Sequence, residues 1–230
     1  MINGSDIILV SGHYPLDKKF AKHTKKSLED YCDLNGYKLY YDETPPVKKE
    51  IHHLHYNRCV ILKRAEIEYP DAKWFVWIDT DVWVNRFDIR IELVIDLSDP
   101  NILYHLFHEK PWDYKVNTGV KFVSKEGVKI EDGIWNMCDD VKWKMFPYEQ
   151  KVMAEYIVPI YNNYVRIHDP YVLNCIDKIY PIEDAIFVHL CNRPEDFRNR
   201  FMDEIFEIRS VDKYKRITNL VYEEIIKKVS

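Results

Sequence analysis

Asp79 and Asp81 stand one residue apart in WFVWIDTDVWV (residues 74–84), where almost everything before them is apolar. Neighbouring carboxylates raise each other's pKa and are costly in a low dielectric, so the pair calls for a positive partner. On an extended segment side chains repeat every two residues, which points both carboxylates to one side. Two converging oxygen donors suit a hard divalent ion, Mg²⁺ or Mn²⁺, which can in turn hold a diphosphate. The plainer alternative is a turn in which Asp79 caps a helix and Asp81 is solvated; the apolar strand before the pair favours the metal. His189, near the end of the apolar run AIFVHL (185–190), offers an imidazole from a second strand end, and that donor set suits Mn²⁺ better than Mg²⁺. Arg58 interrupts a stripe made of Leu54, Ile61, Ala65 and Tyr69, so it wants a core carboxylate or a ligand phosphate. Arg193, four residues past His189, is either near enough to touch a phosphate or a surface arginine.

The elements that must carry these groups read as an α/β chain. DIILV (6–10), YKLYY (37–41) and KWFVWI (73–78) are strands without polar alternation, separated by helices over about 17–34 and 53–69. Such strands indicate a largely parallel sheet covered on both faces. The second half is less regular: strands at 101–107, 119–123 and 185–190, helices around 125–139 and 148–157, and an amphipathic helix from Val211 to Val229. Ligands of open sheets gather beyond the carboxyl ends of the strands, where Asp79 and Asp81 fall.

Bulk properties exclude several classes. The formal net charge of −5 supplies no basic field for a nucleic acid. Five cysteines without a CxxC argue against a disulfide framework or a zinc ribbon. No stretch approaches the ~18 uncharged apolar residues of a membrane span, and IILV near the start is too short for a signal peptide. A soluble, cytoplasmic protein is the expectation, compatible with a virus-encoded or bacterial enzyme, and no protein partner is inferred. A GxxxxGK[ST] loop is absent, which argues against a P-loop nucleotidase.

Together the stretches YNR (56–58), WFVWIDTD (74–81), NTGVKFV (117–123), YEQKVM (148–153) and FVHLCNR (187–193) resemble, in order and rough spacing, the GMA12/MNN10 family of DxD-containing, metal-dependent galactosyl- and xylosyltransferases. The resemblance implies a GT-A fold: a single Rossmann-like domain over 1–230 with a mostly parallel mixed sheet flanked by helices. Its nucleotide-binding half would cover about 1–100 and its acceptor-binding half about 101–230. It implies transfer of a hexose or pentose from a nucleotide sugar, a UDP-sugar before a GDP-sugar, to a glycan hydroxyl with Mn²⁺, or Mg²⁺, as cofactor. Asp79, Asp81 and His189 would serve the metal; Ser11, Gly12, His13, Tyr14, Asp42 and Thr80, with Asp79, Arg58 and Arg193, would hold the donor. If the reaction inverts, Glu149 or Asp113 is the candidate base; if it retains, as the resemblance suggests, Gln150 or Asn117 is the candidate assistant. Two departures stand out: Leu-Cys-Asn follows the late histidine where the family has glycine, and Arg58 replaces its usual lysine. Rival readings are a haloacid-dehalogenase-like phosphohydrolase, with Asp139 and Asp140 as its late acidic pair, and an inactive sugar-nucleotide or glycan-binding module.

Overall fold

Strand β3 (Trp74–Ile78) shows why its sequence lacks alternation: all five side chains are buried. Trp74, Val76 and Ile78 enter one core, packed with Leu28 and Tyr31 of helix α1 (Lys19–Asn35). Phe75 and Trp77 enter the opposite core, against α2 (Ile51–Glu68) and α3 (Lys125–Asn136). Covering both faces removes each large side chain from water, worth about 1.5–3 kcal/mol apiece. The chain is seen in a computed structural model that describes residues 2–15, 17–48, 50–109 and 115–230, the side chain of His52 excepted.

The main sheet adds β1 (Ile7–Gly12), β2 (Lys38–Asp42), β5 (Tyr104–Phe107), β6 (Asn117–Ser124) and β7 (Val165–His168) in the order β2-β1-β3-β6-β5-β7. β1 pairs in parallel with β2 and β3, and β5 with β7, whereas β6 runs antiparallel to both neighbours. The start of β6 therefore meets the carboxyl ends of β3 and β5, with Ile78 opposite Val120 and Phe107 opposite Asn117. A small second sheet joins β4 (Val82–Val84), β9 (Phe187–His189) and β8 (Cys175–Ile176), and its pairing of Val82 with His189 brings the late histidine back to the aspartates. The α/β, mostly parallel mixed sheet expected from the sequence is present.

Several boundaries differ. Helix α1 runs to Asn35 and stops where Gly36 takes φ 75° and its amide reaches Cys32 O at 2.8 Å, a glycine C-cap. The helix anticipated from residue 148 comprises α4 (Glu149–Val152) and α5 (Val158–Ile160), joined by a π-helical turn over Met153–Ile157. The amphipathic tail is shorter than expected: a separate helix α6 (Glu195–Ile208) precedes it, and α7 (Asn219–Val229) starts late, where the Thr218 hydroxyl caps the Val221 amide. Val211, expected inside the tail helix, is exposed. No helix among the described residues is long and apolar enough to cross a membrane.

Candidate active site

Beyond Ile78 the chain does not stay extended. Asp79, Thr80 and Asp81 form a turn, closed by the Val82 amide donating to Asp79 O at 3.1 Å and anchored by the Asp79 amide on Gly119 O at 2.7 Å. The two carboxylates thus converge through a turn, not through the two-residue repeat of an extended segment. Donor atoms of Asp79, Asp81 and His189 all lie within 4.8 Å of one another. Such a spacing would let the three side chains hold one divalent cation between them.

Two features show that this set fits a cation. A Cβ on Gly119 would lie 2.2 Å from His189 Cε1 and 2.6 Å from Nδ1, so the absence of a side chain at 119 is what admits the imidazole. Asn174 then orients the ring: its Oδ1 is 3.2 Å from His189 Nδ1, and its amide donates to Asn117 Oδ1 at 2.9 Å. With the proton on Nδ1, the Nε2 lone pair faces Asp81, 3.3 Å away. Burial would lower the His189 pKa, but Asp81 outweighs it and raises it. The Asp81 carboxyl, although burial pushes it up, is held below its usual range by His189 and Arg198. Asp79 moves upward, because burial and the Asp81 charge exceed the help from Arg58.

An outer cavity of about 290 Å³ is lined by Gly12, His13, Tyr14, Asp42, Asp79, Thr80 and Asp81, all predicted for donor or metal. Asp42 is tied down by Arg64 at 2.8 Å and by the Thr44 amide at 2.8 Å. Thr80 places its hydroxyl 3.2 Å from His13 Nδ1 and is fixed by Thr24, whose hydroxyl donates to Thr80 O at 2.7 Å. Ser11 is fully buried and does not line the space. Arg58 lines it, yet is already engaged: Nη1 donates to Thr118 O at 2.8 Å and Nη2 lies 3.3 Å from Asp79.

Arg193 is the clear misplacement. Its guanidinium pairs with Asp177 at 2.8 Å and lies over Phe197, so it does not border the cavity. Arg198, on α6, does border it, reaching Asp81 Oδ2 at 3.1 Å and stacking over Phe20. Its Nε is buried without a hydrogen-bond partner among the described residues. The spacing Phe197, Phe201, Met202, Ile205 is the helical signal that would have located α6.

An inner cavity of about 160 Å³ continues past His55, Arg58, Asp79 and Asp81 to Glu109, Asn117, Glu149 and Gln150. Tyr148 takes φ 56°, costly for a bulky residue, and its ring stacks on His55 at 4.6 Å; the bend turns Glu149 and Gln150 inward. Glu149 is no free base: Lys121 contacts it at 2.7 Å and Arg58 at 3.5 Å, and these cations overcome burial to keep it ionised. Gln150 accepts from the Thr118 amide at 3.2 Å and donates to Glu109. Asn117 accepts from the Gly119 amide at 2.8 Å. Glu109, missed in the sequence, has no ion pair among the described residues, and burial raises its pKa. Asp113 lies outside the described residues. Asp139 pairs with Lys48 and His53, and neither it nor Asp140 borders either cavity.

The model of the galactosyl transferase GMA12/MNN10 family matches residues 5–131. The "Probable glycosyltransferase 7" of Oryza sativa subsp. indica is 26% identical over 129 residues, 51% of this chain; the match spans about 28% of that relative's length. Among solved structures, a glycosyltransferase involved in the glycosylation of the major capsid of PBCV-1 is 45% identical, with TM-score 0.83, over 86% of this chain and 98% of its own. The galactosyltransferase LgtC, solved with donor and acceptor sugar analogs, is 12% identical with TM-score 0.54 over 89% and 95% of the two chains, a likeness of fold alone. The fold shared with these enzymes is the GT-A fold.

Proposed function

Since the chain belongs to the GMA12/MNN10 galactosyl transferase family, we propose that it is a metal-dependent enzyme moving a hexose or pentose from a nucleoside-diphosphate sugar to a glycan hydroxyl. The observation that carries this is the convergence of Asp79, Asp81 and His189 at the junction of two cavities of about 290 and 160 Å³. Mn²⁺, or Mg²⁺, when bound supplies Lewis-acid stabilisation of the departing diphosphate. The base and ribose would rest against Gly12, His13, Tyr14 and Asp42, making roughly residues 1–100 the donor half. Arg198 would meet the phosphates in place of Arg193. Glu149, held as a carboxylate with Oε2 lacking a hydrogen bond among the described residues, suits a hydroxyl of the transferred sugar. Gln150 and Asn117 line the same space and would help position that sugar.

Glu109 suits the proton of the acceptor hydroxyl, because it is an inner-cavity carboxylate without an ion pair among the described residues and burial raises its pKa. Residues from about 101 onward would form the acceptor half. The part played by the 45% identical relative in glycosylating a capsid supports a protein-borne glycan as acceptor. The test is a thermal-shift panel of UDP and GDP with and without Mn²⁺. A nucleotide present at a hundred times its Kd adds about 2.7 kcal/mol of stability, so a clear Mn²⁺-dependent shift, lost in Asp81→Ala, is expected. No shift with either nucleotide and Mn²⁺ would discard the proposal.

A further inference from the structure

Behind the metal-ligand cluster a line of buried charges runs on into the core. Lys121, fully buried on β6, contacts Glu131 at 2.9 Å and Glu149 Oε1 at 2.7 Å, and both carboxylates are also buried. The other oxygen of Glu149 lies 3.5 Å from Arg58 Nη1, and Arg58 Nη2 lies 3.3 Å from Asp79. Charges of alternating sign thus run from Glu131 in the core to a carboxylate of the metal cluster. A buried ion network adds little stability over apolar replacements, so its retention calls for another reason.

The distances supply one. Charge-assisted hydrogen bonds are about 2.7–2.9 Å long, and Lys121 meets Glu149 within that range, whereas Arg58 meets neither of its carboxylates so closely. Thr118 pins Nη1 through its carbonyl at 2.8 Å and its hydroxyl at 2.9 Å, holding the guanidinium between the two acids. The cation is divided, and the division depends on how well Lys121 satisfies Glu149. We infer that Lys121 is a positioning residue: by neutralising Glu149 it leaves Arg58 shared with Asp79, and this sharing sets the negative charge that Asp79 offers a divalent cation. The inference rests on the metal reading proposed above.

Opposite substitutions separate this from simple structural damage. Lys121→Met/Glu131→Gln removes one charge of each sign and leaves Glu149 only Arg58, which is drawn off Asp79; Mn²⁺ should bind about tenfold more tightly. Glu149→Gln gives Arg58 wholly to Asp79, and Mn²⁺ should bind about tenfold more weakly. The readout is free Mn²⁺ by electron paramagnetic resonance, without substrate, on variants checked for folding by circular dichroism. If the wild type binds no Mn²⁺ that Asp81→Ala releases, the metal reading falls and this inference with it. If that binding is present but the two variants leave affinity unchanged or move it the same way, the inference alone falls. Where the double variant does not fold, Glu149→Gln decides by itself: weaker binding supports the inference and unchanged binding overturns it.

Discussion

Adding one methyl group at position 119 probes whether His189 belongs to a metal site. A Cβ there would lie 2.2 Å from Cε1 of the imidazole, against 3.4–4 Å for ordinary contact, so the ring must retreat by more than about 1 Å. The strand cannot retreat in its place, since β9 is paired on both sides by β4 and β8. Overpacking of this kind costs about 1–3 kcal/mol, which lowers the melting temperature by roughly 2–12 °C in a chain of this size. The ligand nitrogen is displaced by a large part of a metal–ligand bond, and Mn²⁺ affinity should fall by about 10–100-fold. Isothermal titration with Mn²⁺ measures this. Gly133→Ala is the control: nothing lies within 4 Å of its Cβ, it sits inside α3, and it should stabilise by about 0.5–1 kcal/mol without touching affinity. A folded Gly119→Ala protein that binds Mn²⁺ like the wild type would refute His189 as a ligand.

Three further outcomes are expected. Arg198→Gln should weaken UDP binding in the presence of Mn²⁺ by roughly ten- to a hundredfold, the worth of a charged hydrogen bond, while Arg193→Gln leaves it alone; equal losses in a fluorescence competition assay would contradict the assignment. Glu109→Gln should lower the transfer rate by about 10²–10⁴-fold with UDP affinity unchanged, and a rate within a few-fold of wild type would remove Glu109 from the reaction. Burial depresses His105 from 6.5 to about 3, so its unfolded form takes up a proton first as the pH falls. Its contribution to stability is intact above pH 6.5 and is lost towards pH 3, at most about 1.4 kcal/mol per pH unit. Urea melts of His105→Leu should therefore show a shallower acid dependence than the wild type, and parallel profiles would contradict this.

What could be read from the residues alone was whatever lay within a regular element or at its end. Asp79, Asp81 and His189 close apolar strands, and their convergence follows once the strands are assigned. Asn174 and Glu109 lie in irregular segments far from those stretches, and only the folding of the chain brings them to the same side chains. Lys121 was legible in principle: in GVKFV it shares a face with Gly119 and Val123, which the two-residue repeat directs into the core beside α2 and α3. Its charge disguised it as solvent-facing. Arg193 misled through proximity, since Asn192 at φ 57° turns the chain and Asp177 takes the guanidinium. The carboxylates' direction was anticipated for the wrong reason, because a two-residue repeat cannot foresee a turn held by Gly119 O.

Helix α6 lies across α1 through Lys18 with Glu195, the Phe20 amide with Asn199, and His23 with Asp203. Helix α6 thereby props the start of α1, and it also delivers Arg198. A fragment trimmed to residues 5–131 would keep both aspartates, yet forfeit their imidazole, their guanidinium and the brace on Lys18 and Phe20. Competence for nucleotide would then await the return of residues 187–208 onto the first half, however well that half folds by itself.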